Sequence, residues 1–344
     1  MKQVGHVLRA ICALTLLATA TALSPTAQAS AWESKTMQDY WSSREVERPL
    51  NLGKGWLEFE AGVEAKRSTG YWGSDGERLD FENATWLYTT EYLAVRYGLT
   101  RKIELFGNLP FHYMRLTNDL YGTDTKAFHL GDPHAGLMYD LYRARSPLTS
   151  VVAIVDLKLP AGNEAVGSYI GGPGTLSDFV TTTGTTDLRL GLAGKTQLGP
   201  VAVGGQVGYI HYFSGLAQFV VETEEQQFAG RIKPGDMVYL QAQLVAQGGP
   251  VAVIVTPQFE AHGPTQLGTS SEGLFPDQNL EPVDGSGGWS FSVDTKLIAH
   301  ASKNADFVLG LHVPVRGEDL MFFPIEDIHP TRGLTWSAAL KFRY

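Results

Sequence analysis

Apolar side chains fall on every second position over segments of about ten residues, again and again along this chain. Successive side chains of a strand point to opposite faces, so the alternation marks strands with one greasy face and one wet face. Between Trp56 and Lys66, Leu57, Phe59, Ala61, Val63 and Ala65 share one face, and Glu58, Glu60, Glu64 and Lys66 share the other. Ile103, Leu105, Leu109, Phe111 and Tyr113 likewise oppose Glu104, Asn108 and His112. Downstream, Leu188, Leu190 and Leu192 oppose Asp187, Arg189 and Lys195, while Trp289, Phe291, Val293 and Leu297 oppose Ser290, Ser292, Asp294 and Lys296. The last segment sets Leu334, Trp336, Ala338, Leu340, Phe342 and Tyr344 against Thr335, Ser337, Lys341 and Arg343.

Twelve such segments begin near residues 55, 86, 102, 132, 150, 187, 201, 237, 251, 288, 305 and 334. The connections between them alternate in length. Short ones lie around Thr100-Arg101, Tyr142 to Thr149, Gly199-Pro200, Gly248 to Pro250 and His300 to Asn304; long ones lie near residues 67–84, 114–128, 161–185, 213–235, 262–287 and 316–332. Hydrocarbon offers no partner for a backbone N–H or C=O, so a sheet that crosses a bilayer must close on itself. Short turns on one side and long loops on the other are the habit of such barrels. The expected fold is therefore all-β: a transmembrane antiparallel β-barrel of about twelve strands, with short periplasmic turns and long extracellular loops. A soluble β-sandwich competes on alternation alone, but it has no reason to sort its loops by length.

The chain ends, Leu340, Phe342 and Tyr344, match the aromatic C-terminal signal through which the barrel assembly machinery recognises its clients. The other end reads as an export leader. Lys2 and Arg9 precede the apolar run Ala10 to Leu23, and Ala27-Gln28-Ala29 is a small-residue cleavage site. The expected division is a signal peptide over 1–29, a periplasmic segment or plug over 30–54, and the barrel over 55–344. The apolar run is short for a membrane helix, and no stretch after it holds about eighteen consecutive apolar residues. The only cysteine, Cys12, lies in the leader, which leaves the rest without disulfides or thiolate ligands.

Charge excludes a further class. The formal net charge of −9 becomes −11 once Lys2 and Arg9 leave with no acidic residue, and a chain that acidic repels nucleic acid. The expected surroundings are outer-membrane lipid and a small-molecule solute.

Several short motifs form a familiar set. Glu47-Arg48-Pro49-Leu50-Asn51-Leu52-Gly53-Lys54-Gly55 leads into the first strand, Arg96-Tyr97-Gly98-Leu99-Thr100 ends the second, and Gly131-Asp132-Pro133 opens the fourth. Leu157-Lys158-Leu159-Pro160-Ala161-Gly162 closes the fifth, and Gly184-Thr185-Thr186-Asp187-Leu188 opens the sixth. Together they resemble the transporter-like outer-membrane proteins named after the meta-cleavage pathway of phenol degradation, with Ala161 where a Thr is expected. The resemblance covers most of the chain after the leader. It implies a channel for passive movement of a small solute, with aromatic or other hydrophobic compounds as the class, and no cofactor.

If the wet face lines a pore, the candidate pore residues are Glu58, Glu60, Glu64, Glu104, Asp132, His134, Asp156, Lys158, Asp187, Arg189, Glu260, Asp294, Lys296, Lys341 and Arg343. Both signs occur, which fits cross-strand ion pairs as well as an ion path. Asp132 and His134 share a face, but two ligands do not make a metal site, and a lumen hydrogen bond is the simpler reading. Apolar residues within the long loops, namely Tyr169, Phe179, Phe213, Phe219, Phe322 and Phe323, are candidates for a constriction or a capture site, or for girdle positions on longer strands. His211 and Ser214 are the residues a lipid-modifying enzyme would use, although their spacing along a strand sets them on opposite faces. A non-conducting adhesion barrel is the third alternative.

Overall fold

The computed structural model describes residues 44–72, 76–80, 84–118, 123–145, 148–161, 167–168, 184–221, 226–269, 280–282, 286–318 and 332–344. The expected leader and the first part of the segment after it lie outside these residues.

Twelve long strands make the ring: β1 (Leu57–Trp72), β2 (Ala84–Gly98), β3 (Ile103–Asn118), β4 (His134–Arg145), β5 (Leu148–Lys158), β6 (Asp187–Leu198), β7 (Val201–Tyr212), β8 (Met237–Gly248), β9 (Val251–His262), β10 (Gly288–His300), β11 (Ala305–Glu318) and β12 (Arg332–Arg343). Each pairs antiparallel with its neighbour in sequence, and β12 pairs back onto β1 from Glu58↔Arg343 to Gly70↔Arg332. The ring is thus closed, with every one of its twelve strands paired on both sides over at least part of its length. At two of the short turns, Gly199-Pro200 and Gly249-Pro250, the glycine has φ of 68° and 60°, a conformation that L side chains avoid.

The outward positions are those expected to be greasy. Leu57, Val63, Leu93, Val95, Leu105, Leu137, Leu190, Leu192, Leu240, Leu244, Val253, Leu297 and Leu309 are all exposed and follow one another around the ring. An apolar surface of that extent is stable only against hydrocarbon, which identifies the outside of a membrane-spanning barrel. Leu340, Phe342 and Tyr344 belong to this outer face, with Tyr344 exposed beside the β1–β12 seam.

Strand starts agree with the sequence pattern to within two residues, but the strands reach further at the long-loop end. β1 continues to Trp72 and folds back through Arg78–Asp80; β3 continues to Asn118 and takes Thr123–Leu130 as a partner. A second, smaller sheet contains Gly215–Val221 and Gln226–Lys233. Stretches read as loops near 67–84, 114–128 and 213–235 therefore carry strand. Beyond the bilayer both faces of a strand are wet, so the alternation that reveals it disappears.

The inner face also departs from uniform polarity. Ala202, Val245, Ala252, Ile254, Ile298, Val308 and Ala339, contributed by every strand from β7 to β12, form a buried apolar half-ring near the short-turn end. The chain ahead of β1 fills it. A 3₁₀ turn over Glu45–Glu47 sets Val46, fully buried, in the centre of that cluster.

Candidate functional site

The interior is the site, and its charges fall into three tiers. At the short-turn end, residues 45–55 are tied to the wall on several sides. Lys195 Nζ donates to the carbonyls of Glu45 (2.7 Å) and Arg48 (3.2 Å), and the Glu45 N–H donates to Gln247. Arg48 pairs with Glu45 at 2.5 Å and with Asp306 at 3.1 Å. The Leu52 N–H donates to Glu104 Oε2 at 2.6 Å, and Arg96 Nη2 donates to the Leu50 carbonyl at 2.8 Å. The Gly53 carbonyl lies 1.9 Å from where a Cβ on Gly98 would stand, so only glycine admits this crossing.

The same anchors bind each other. Arg96 Nε lies 2.7 Å from Glu104 and its Nη1 lies 3.1 Å from Glu58, which also receives Arg343 Nε at 2.6 Å. Arg343 also pairs with Asp306, as does His300 Nδ1 at 2.7 Å. Unpaired, such buried ions would carry a large desolvation cost, and the alternation of signs offsets it. Glu58, Glu104 and Arg343, expected as pore-lining, do face inward. They are buried in this network, however, and do not border open water.

The middle tier is wetter. Lys341 Nζ lies 2.9 Å from Glu60 and 3.7 Å from Glu58, and the Tyr92 hydroxyl donates to Glu60 at 2.8 Å. Glu64 and Lys296 are exposed to the interior, and Asp294 accepts from His312 Nδ1 at 2.7 Å. Along β7 to β10 Glu260 takes bonds from Gln258 and from Ser290 Oγ (3.4 Å), and Gln206 Nε2 donates to the Tyr239 hydroxyl at 2.8 Å. The inward side chains of this tier thus carry both signs of charge and neutral amides.

Near the long-loop end, buried Lys158 joins Asp187 at 2.5 Å and Asp132 at 3.3 Å, and Thr185 Oγ1 caps Asp187 at 2.8 Å. Asp156 takes His134 Nδ1 at 3.2 Å, with Arg189 Nε at 4.0 Å. Asp132 and His134 thus engage different partners. Asp132, Asp156, Lys158 and Asp187 serve to pin the bases of the connections.

No family model matches the sequence, and no curated protein does. Among solved structures, the chain is similar to the COG4313 outer membrane channel from Pseudomonas putida F1, at 13% identity and a TM-score of 0.61, over 85% of this chain and 97% of that one. The fold is that of an outer-membrane barrel. A TodX monoaromatic hydrocarbon channel mutant (11% identity, TM-score 0.48, 92% and 94% coverage) and the NanC porin (7%, 0.42, 83% and 98%) are more distant.

Of the apolar loop candidates, Tyr169, Phe179, Phe322 and Phe323 lie outside the described residues. Phe219 sits on the Gly215–Val221 strand opposite Phe228. Phe213 follows β7 on its outer face, with its ring edge-on to His211 at 4.7 Å. His211 also points outward, where its Nδ1 meets Asp236 at 3.0 Å and Tyr209 shares the same carboxylate. Sequence reasoning passed over Arg48, Arg96, Tyr92 and His312. Strand parity alone assigns Arg96, Tyr92 and His312 to the inner face; Arg48 precedes the first strand, and no periodicity marks it.

Proposed function

We propose that this barrel is a passive outer-membrane channel for a small solute, narrowed at its short-turn end by residues 44–55 acting as a plug. The observation that supports the reading most is the tethering of that segment inside the ring by Lys195, Arg48, Arg96 and Glu104. A twelve-stranded ring is wider than the eight-stranded kind filled by side chains, so what crosses its interior decides what passes. Aromatic or hydrophobic compounds are the proposed solute class, on the strength of the motif resemblance. Export by the leader and insertion through the C-terminal aromatic signal complete the reading. No step in it requires a bond to be made or broken.

Planar-bilayer recording from the refolded protein lacking its leader tests the proposal. Discrete conductance steps are expected, growing when residues 30–49 are also deleted. Silence from both proteins, with folding verified by heat-modified gel mobility, rules out an ion-conducting pore. Swelling of liposomes in candidate solutes then measures selectivity directly.

A further inference from the structure

The outer face carries a basic arc that the channel reading does not use. Arg67 on β1 pairs across to Leu334 and to Leu87, Leu87 pairs with Arg115, and Arg115 pairs with Lys126. All five positions have outward parity, and Arg67 and Lys126 are exposed. On the other side of β12, exposed Arg316 stacks over Trp289 at 5.9 Å. In contrast, the outward positions of β4 through β9 hold no Lys or Arg. The arc is therefore confined to one flank of an acidic protein.

Its height is set by strand geometry. Arg67 stands ten residues beyond Leu57 on β1; at about 3.4 Å per residue and a tilt of about 40°, that is roughly 26 Å up, at the top of an apolar band about 25 Å tall. Two residues lower, the register row runs Trp336, Ala65, Thr89, Tyr113 and Phe128 and so holds three aromatic side chains, with Phe128 stacked on Phe111 at 6.4 Å. Aromatic side chains at that depth mark the membrane–water boundary, and the cations above them stand at headgroup level.

The wall beside the arc is hollow. β11 and β12 stop pairing after His312↔Thr335, and a cavity of about 570 Å³ opens there, bounded by Arg67, Arg78, Trp72, Leu87, Leu334 and Trp336. Its apolar lining suits an acyl chain, and its two guanidinium groups suit a phosphate, which arginine binds in bidentate fashion.

We infer that this flank binds a phosphorylated glycolipid of the outer leaflet, with its phosphates on Arg67, Arg78, Arg115 and Lys126 and an acyl chain against Trp336 and Leu334. Charge complementarity selects this occupant over a neutral lipid or an apolar solute, neither of which needs the arc. The inference depends on the barrel being embedded in a membrane and not on its conducting.

Native mass spectrometry of the refolded protein in detergent, titrated with bisphosphorylated lipid A, provides the test. Bound lipid A is expected on the wild type. The triple variant Arg67→Gln, Arg115→Gln, Lys126→Gln should bind it about a hundredfold more weakly, at roughly fivefold per charge removed, with single-channel behaviour unchanged. If the triple variant does not fold, the single variants Arg67→Gln and Lys126→Gln should each lose about fivefold. Equal binding of dephosphorylated lipid A, undiminished binding by the variants, or full displacement by an uncharged aromatic compound overturns the inference.

Discussion

Arg96 and Glu104, eight positions apart, face each other across the β2–β3 hairpin at 2.7 Å, and Glu104 is wholly buried. Glu104 also accepts the Leu52 N–H, so this one carboxylate joins the hairpin to the chain that crosses the interior. Glu104→Gln keeps the shape and removes the charge. Breaking a buried pair costs about 3 kcal/mol, and a lower urea midpoint in liposomes together with a larger conductance is the expected result. An unchanged midpoint refutes the structural role assigned to Glu104.

Lys195 tests the crossing segment from the opposite wall. Lys195→Met removes the donor to the Glu45 and Arg48 carbonyls. Single-channel recording should show a raised or fluctuating conductance with the barrel still folded. Gly98→Ala should act in the same direction, since the new methyl displaces the Gly53 carbonyl.

Ion selectivity should follow the middle tier. Lys296 is exposed to the interior, one strand from His312 and on the strand that carries Asp294. Lys296→Glu replaces a positive charge with a negative one beside the path. The reversal potential in a salt gradient should move toward greater cation permeability; no movement means that ions bypass this wall.

Glu91 makes a separate prediction. It points outward within the apolar band, between Val63 and Phe111 in register. A carboxyl group on a lipid-facing position is costly, though less so than a basic one. Glu91→Leu should raise unfolding stability by about 1–2 kcal/mol, measured by reversible unfolding in liposomes, without altering conductance.

The ring was legible because a bilayer imposes a period of two on every strand. Leu57 to Ala65 and Leu334 to Phe342 declare their faces without reference to any other part of the chain. What each inward charge does was not legible. Arg48 meets Asp306 across 258 positions of sequence, and nothing local in either residue announces the other. Parity placed Glu104 and Lys158 inside, yet their burial follows from Leu52 and from Asp132 and Asp187, which long-range closure brings together. The apolar half-ring around Val46 was missed for a related reason: small aliphatic residues on a wet face look like tolerated exceptions until something fills the space they leave.

The seam between the first and last strands also imposes an order of events. Leu57 and Tyr344 exchange backbone hydrogen bonds at 3.0 and 2.8 Å, so the sheet becomes a ring only when its twelfth strand has arrived. Residues 45–55 run straight into β1 and lie within that ring. Their tethers Lys195, Gln247 and Asp306 stand on β6, β8 and β11, so the full set of partners exists only once the ring has closed. Closure and plugging are thus ordered: first the wall, then the cord that it grips at its short-turn mouth.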